Sequence, residues 1–127
     1  MAPIQAVLVS SPDADVVASL AATLRDHWPV RTATTARKTE TSLDDTVTVV
    51  VFDPAFDSLS LDDLTAMVNE GSPDAQLLQF GTSPDRQAGG ADAVLPDAAD
   101  EERLRSTVGR LQRRARYSRL LSRVYSI

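Results

Sequence analysis

The chain has 127 residues, a formal net charge of −5, 43% hydrophobic and 24% charged residues, one histidine and no cysteine. These values fit one soluble globular domain with a core of its own, and they exclude disulfides, a cysteine nucleophile, thiolate metal sites and a multi-histidine metal site. The charge is unevenly placed: residues 1–102 hold all 18 carboxylates and five of the 13 basic residues, a net −13, while residues 103–127 hold eight arginines and no carboxylate, a net +8.

No basic region precedes the first apolar run, so no signal peptide is expected. No run approaches the roughly 18 apolar residues of a membrane span, so a cytoplasmic protein without a membrane partner is expected. Residues 4–9 predict a buried strand, broken by Ser10-Ser11-Pro12-Asp13. Val16, Val17, Leu20 and Leu24 recur at helical spacing and predict a helix from Asp13 to about Asp26, capped by Ser11 or Asp13. Trp28 then reads as a lid over a short second strand, Val30 to Ala33. Residues 35–45 predict a polar helix anchored by Leu43. Val47 to Phe52 is β-branched and almost wholly apolar, as a central parallel strand covered on both faces would be.

Leu59, Leu61, Leu64, Met67 and Val68 predict a third helix capped by Ser60, with a turn at Gly71–Asp74. Ala75 to Phe80 and Ala93 to Leu95 predict strands four and five. The polar residues 81–90 between them leave room only for a short helix. A last helix starts near Asp100 and continues through Leu104, Val108, Leu111 and Ala115 toward Leu121 and Val124. Strands alternating with helices predict an α/β fold with a parallel sheet covered on both faces.

This order and spacing resemble a response-regulator receiver domain of the CheY-like kind over about residues 4–112. The third strand ending in Asp53 and the stretch Gly90-Ala91-Asp92 before strand five carry the likeness. The resemblance implies a flavodoxin-like (βα)5 three-layer sandwich with sheet order 2-1-3-4-5, and a site at the carboxyl ends of the strands. It also implies a role in two-component signal transduction and a phosphoacceptor role for Asp53. Residues 113–127, with Arg113-Arg114, Tyr117 and Tyr125, resemble the junction between receiver and HalX segment in haloarchaeal regulators. The chain thus divides into a receiver-like unit, 1–112, and a basic extension of the last helix, 113–127. The preference for Asp over Glu and Arg over Lys agrees with a salt-adapted source.

Receiver phosphotransfer needs an acidic pair after strand one, the acceptor aspartate, a hydroxyl after strand four and a lysine after strand five. The carboxylates hold Mg²⁺, and the hydroxyl and lysine bind phosphoryl oxygens. Here Ser10 and Ser11 replace the acidic pair, Gly81 stands at the hydroxyl position with Thr82 next to it, and Asp97 stands at the lysine position. The single lysine, Lys38, falls in the polar second helix. Asp53 is therefore either a residual phosphoacceptor or the cap of the Pro54 turn. No Mg²⁺ or other cofactor site is expected. A Ser–His–Asp hydrolase lacks its Gly-x-Ser-x-Gly elbow, and Gly89-Gly90 lacks the lysine of a phosphate loop, so an enzyme is not expected.

The arginine-rich end offers an interaction face. The resemblance implies pairing through the fourth helix, fifth strand and last helix, with Arg103, Arg110 and Arg114 meeting carboxylates, and Leu121 and Tyr125 adding apolar contacts. Three readings stand open: a degenerate receiver that binds a protein partner or a second copy, a working receiver phosphorylated on Asp53, and a nucleic-acid accessory protein using the arginine helix.

Overall fold

Val47–Phe52 forms β3 at the centre of a five-stranded, all-parallel sheet of order β2-β1-β3-β4-β5. Its neighbours are β1 (Ala6–Ser10), β2 (Val30–Ala33), β4 (Gln76–Phe80) and β5 (Ala93–Leu95). Among the described residues four helices follow strands: α1 (Ala14–Leu24), α2 (Ala36–Ser42), α3 (Leu61–Gly71) and α4 (Glu101–Tyr125). This computed structural model describes residues 4–55, 59–81, 91–96 and 100–125, without the side chains of 61 and 122–125. The expected α/β architecture and strand order are both present.

The apolar residues of β1 and β3 are divided between two faces because side chains alternate along a strand. Val7, Val9, Val49 and Val51 pack under α1 and α4, with Leu20, Leu24, Leu104, Val108 and Leu111. Leu8, Val50 and Phe52 pack on the other face with Leu64 and Val68 of α3. Both faces are covered, so β1 and β3 are buried along their whole length.

The element boundaries differ from expectation in ways that have physical causes. The first strand runs from Ala6 to Ser10 rather than 4–9, since Ser10 pairs with both Ala33 and Phe52 and Ile4 is exposed. Asp13 caps α1, accepting from the Asp15 N–H. The second helix spans only 36–42, and its buried residue is Thr39; Leu43 ends the helix and is half-buried. The third helix includes Gly71 and closes its start with a capping box between Ser60 and Asp63. Trp28 is half-buried against the core, its ring beside Gly109 of α4. The expected short helix within 82–90 lies outside the described residues.

A polar knot fixes α4 to the sheet. The Gln5 side chain donates to the Gln112 carbonyl (3.0 Å), and the Gln112 side chain donates back to the Gln5 carbonyl (3.1 Å). The Thr48 hydroxyl donates to Gln112 Oε1. Gln112 and Thr48 are buried, yet no buried side-chain polar atom among the described residues lacks a partner. The helix runs unbroken through residues 112 and 113.

A second knot holds the approach to β3. Arg31 donates to the Ser42 carbonyl, to Asp44 Oδ2 and to the Thr46 hydroxyl. Thr46 donates through both its hydroxyl and its N–H to Asp44 Oδ1. The Thr46 hydroxyl first, and then Arg31, lower the Asp44 pKa to about 2. A depressed carboxylate contributes stability that is complete above its ordinary value and is lost as pH falls toward its folded value. The gap in thermal midpoint between the wild-type chain and Thr46→Ala is therefore expected to shrink as pH falls from 5 to 2. A gap independent of pH would contradict this assignment.

Candidate functional site

The carboxyl ends of β1 and β3 bring Ser10, Ser11 and Asp53 side by side. Ser10 lies opposite Phe52, and the Asp53 N–H donates to the Ser10 carbonyl (2.9 Å), which sets Asp53 beside Ser11. The buried Ser11 hydroxyl donates to Asp53 Oδ2 (2.8 Å) and accepts from the Asp13 N–H (3.1 Å). The other carboxylate oxygen, Oδ1, accepts from the Ala55 N–H (2.9 Å). Asp53 thus closes the Pro54 turn and ties the ends of β1 and β3 together at once.

Ser10 turns the other way. Its hydroxyl lies 2.7 Å from the Thr39 hydroxyl in the interior, and Thr39 gives its own hydrogen to the Thr35 carbonyl. The Ser10 hydroxyl therefore donates to Thr39 and does not reach the Asp53 carboxylate, although the Ser10 carbonyl positions Asp53. Asp13, the nearest acid in sequence, uses its carboxylate to cap α1. A hard divalent cation needs several carboxylate oxygens. Among the described residues no group of three or more Asp, Glu or His side chains is placed to hold a metal. Among the described residues the Asp53 carboxylate is held by one hydroxyl, of Ser11, and one backbone N–H, of Ala55.

Gly81 follows β4 with a φ of 83°, a conformation that costs a residue with a side chain roughly 1–2 kcal/mol. Its N–H donates to the Leu95 carbonyl and continues the sheet. The position expected to carry a hydroxyl therefore has a backbone that favours glycine. Thr82 and Asp97 lie outside the described residues. His27 is exposed beside Trp28, remote from the serines in the sequence and bonded through its N–H to Leu24.

The arginine residues divide between two places. Arg103 sits in the first turn of α4, where its N–H is capped by Asp100. Arg110 and Arg114 lie about 10 Å or more further along the helix axis. With Gln76, Asp92, Arg113 and Leu121 they line an open cleft of ≈ 530 Å³ at the amino edge of the sheet, opposite to Asp53. The side chain of Tyr125 is outside the described set. Sequence reasoning named the arginines but not the cleft, because Asp92 entered only through the Gly90-Ala91-Asp92 likeness and Gln76 carries no motif.

No family model and no curated protein matches this chain. Solved structures do. It is similar to the adenylate cyclase from Rhodopirellula baltica, with a TM-score of 0.83 at 11% identity over 97% of this chain and 98% of that one. It is similar to a response regulator receiver domain protein from Clostridium thermocellum, with a TM-score of 0.77 at 17% identity over 90% and 98%. It is also similar to a CheY-like receiver domain protein from Methanospirillum hungatei, with a TM-score of 0.74 at 16% identity over 90% and 98%. These likenesses establish the flavodoxin-like receiver fold. No helix among the described residues is long and apolar enough to cross a membrane.

Proposed function

We propose that this chain is a degenerate receiver: a cytoplasmic signalling module that works by binding a protein partner or a second copy through α4, without a Mg²⁺-dependent phosphoryl switch and without enzymatic activity. One observation carries the reading. Both oxygens of Asp53 are held by neutral donors, Ser11 and the Ala55 N–H, where a switch would need additional carboxylates for a cation. Asp53 acts as a structural tie. The output then lies in α4, whose exposed Tyr117, Leu120 and Leu121 stand among arginines. The unbroken helix Glu101–Tyr125 supports the likeness to a receiver–HalX junction, and the preference for Asp over Glu and Arg over Lys supports a salt-adapted source. The cyclase named among the similar structures shares only 11% of residues, and its activity is not carried over.

The test is an NMR titration with Mg²⁺ and beryllofluoride, an aspartyl-phosphate mimic, at high KCl. Wild-type chain is expected to show no shifts centred on Asp53. Asp53→Asn is expected to fold and associate as the wild type does, because an amide can still accept from Ala55 and donate to Ser11. Shifts at Asp53 that vanish in Asp53→Asn would establish the working-receiver reading instead.

A further inference from the structure

Acidic side chains gather at the carboxyl edge of the sheet, and a cluster of arginines stands at one place on the amino edge. In a parallel α/β fold each helix starts at the carboxyl edge, where the preceding strand ends. The first turns of α1, α3 and α4 carry exposed Asp15, Asp62, Asp63, Glu101 and Glu102, and Asp53 lies within the same rim. The start of α2, with Arg37 and Lys38, and Arg103 in the first turn of α4 are the exceptions on that rim. The opposite edge is mixed, with Asp26, Asp44, Asp45, Glu70 and Asp74 along it, but the stretch beside α4 gathers arginines. There the packing of α4 on the body thins: its last buried residue among those described is Ala115, Ser118 and Arg119 still donate to Asp74 and to the Asp45 carbonyl, and Tyr117, Leu120 and Leu121 are 65%, 53% and 38% exposed.

The cleft beneath this helix end holds Arg110, Arg113 and Arg114, none of which forms an ion pair among the described residues. The one carboxylate lining it, Asp92, is occupied by the Leu77 N–H at 2.7 Å. The cleft therefore suits an anionic surface. Two α4 helices side by side do not supply one, since each brings eight arginines between 103 and 123 and no carboxylate after Glu102. Like charges facing each other oppose a symmetric helix pair.

We propose that the occupant is the acidic rim of a second copy, so that copies associate head to tail. This rests on the reading of α4 as the interaction face and names what it meets. A head-to-tail contact leaves one free rim and one free cleft in every dimer, so assembly continues beyond two copies unless a ring closes.

Two neutralising variants test it by sedimentation velocity in 0.1 M KCl. The cleft variant is R110Q/R113Q/R114Q, and the rim variant is D15N/D62N/E102Q; all six positions are exposed. Wild-type chain is expected to form species that grow with concentration past the dimer. Its association constant is expected to fall at least tenfold in 1 M KCl, where the Debye length contracts from about 10 Å to about 3 Å. Each variant alone is expected to associate at least tenfold more weakly. A one-to-one mixture is expected to recover association but stop at the dimer, since one intact rim meets one intact cleft. A rim variant that associates like wild type overturns the head-to-tail contact while leaving α4 as the interface. A mixture that stays monomeric overturns it as well. Wild-type chain that stays monomeric at millimolar concentration overturns both this contact and self-association through α4, while the beryllofluoride result stands apart.

Discussion

Gln112→Ala is expected to lower the free energy of unfolding by about 3 kcal/mol, measured by urea denaturation followed by circular dichroism at neutral pH. Two polar groups depend on that side chain. Its Nε2 donates to the Gln5 carbonyl, and its Oε1 accepts from Thr48, which is 2% exposed. Alanine leaves the buried Thr48 hydroxyl without its main acceptor, since the Ala6 carbonyl lies 3.4 Å away. A buried donor without a partner costs about 1–3 kcal/mol, and the vacated volume adds a packing loss. Arg113→Ala, one residue on and exposed, is expected to change stability by less than about 0.5 kcal/mol. Equal effects at the two positions would mean that α4 is not held by this knot.

The same residue shows what the sequence could and could not disclose. The third strand was readable because Val47 to Phe52 is an apolar run rich in β-branched residues that stops at Asp53-Pro54, as a strand covered on both faces does. The last helix was readable from Leu104, Val108, Leu111 and Ala115, whose spacing marks one buried stripe. Gln112 sits on the edge of that stripe and is also buried, but a glutamine gives no apolar signal. Its partners, Gln5 and Thr48, are 107 and 64 positions away. Periodicity reports the face of an element, not the polar group waiting across the core.

The Asp53 cluster failed to show for a similar reason. Ser10 and Ser11 read as one pair of replaced residues, yet the strand alternation sends them apart. Ser10 goes to Thr39, 29 positions on, and Ser11 to Asp53, 42 positions on. Gly81 read as a missing hydroxyl, whereas its φ of 83° makes it a backbone requirement. The departures at this edge each have a partner: Ser10 in Thr39, Gly81 in the Leu95 carbonyl, and Ser11 in Asp53, whose other oxygen accepts from Ala55.

If that is so, returning a carboxylate to position 11 should recreate the need for a cation. Ser11→Asp replaces a donor 2.8 Å from Asp53 Oδ2 with a second anion at a position that is 0% exposed. Two carboxylates so placed cannot both ionise comfortably, and an uncompensated buried charge costs about 3–5 kcal/mol. The variant is expected to melt well below wild type at pH 7 in the absence of divalent cations. Lowering the pH toward 5 should narrow the gap, because the pair can then share a proton. Adding MgCl2 at constant ionic strength should narrow it too: a ligand at a hundred times its dissociation constant stabilises the folded state by about 2.7 kcal/mol. Wild-type chain, whose Asp53 oxygens already have neutral donors, should show no response to Mg²⁺ beyond that of added KCl. The measurement is a thermal melt of both chains across MgCl2 concentrations. A variant indifferent to Mg²⁺ would mean that the ends of β1 and β3 no longer aim two carboxylates at one point, and that more than the Ser11 hydroxyl keeps a cation from this site.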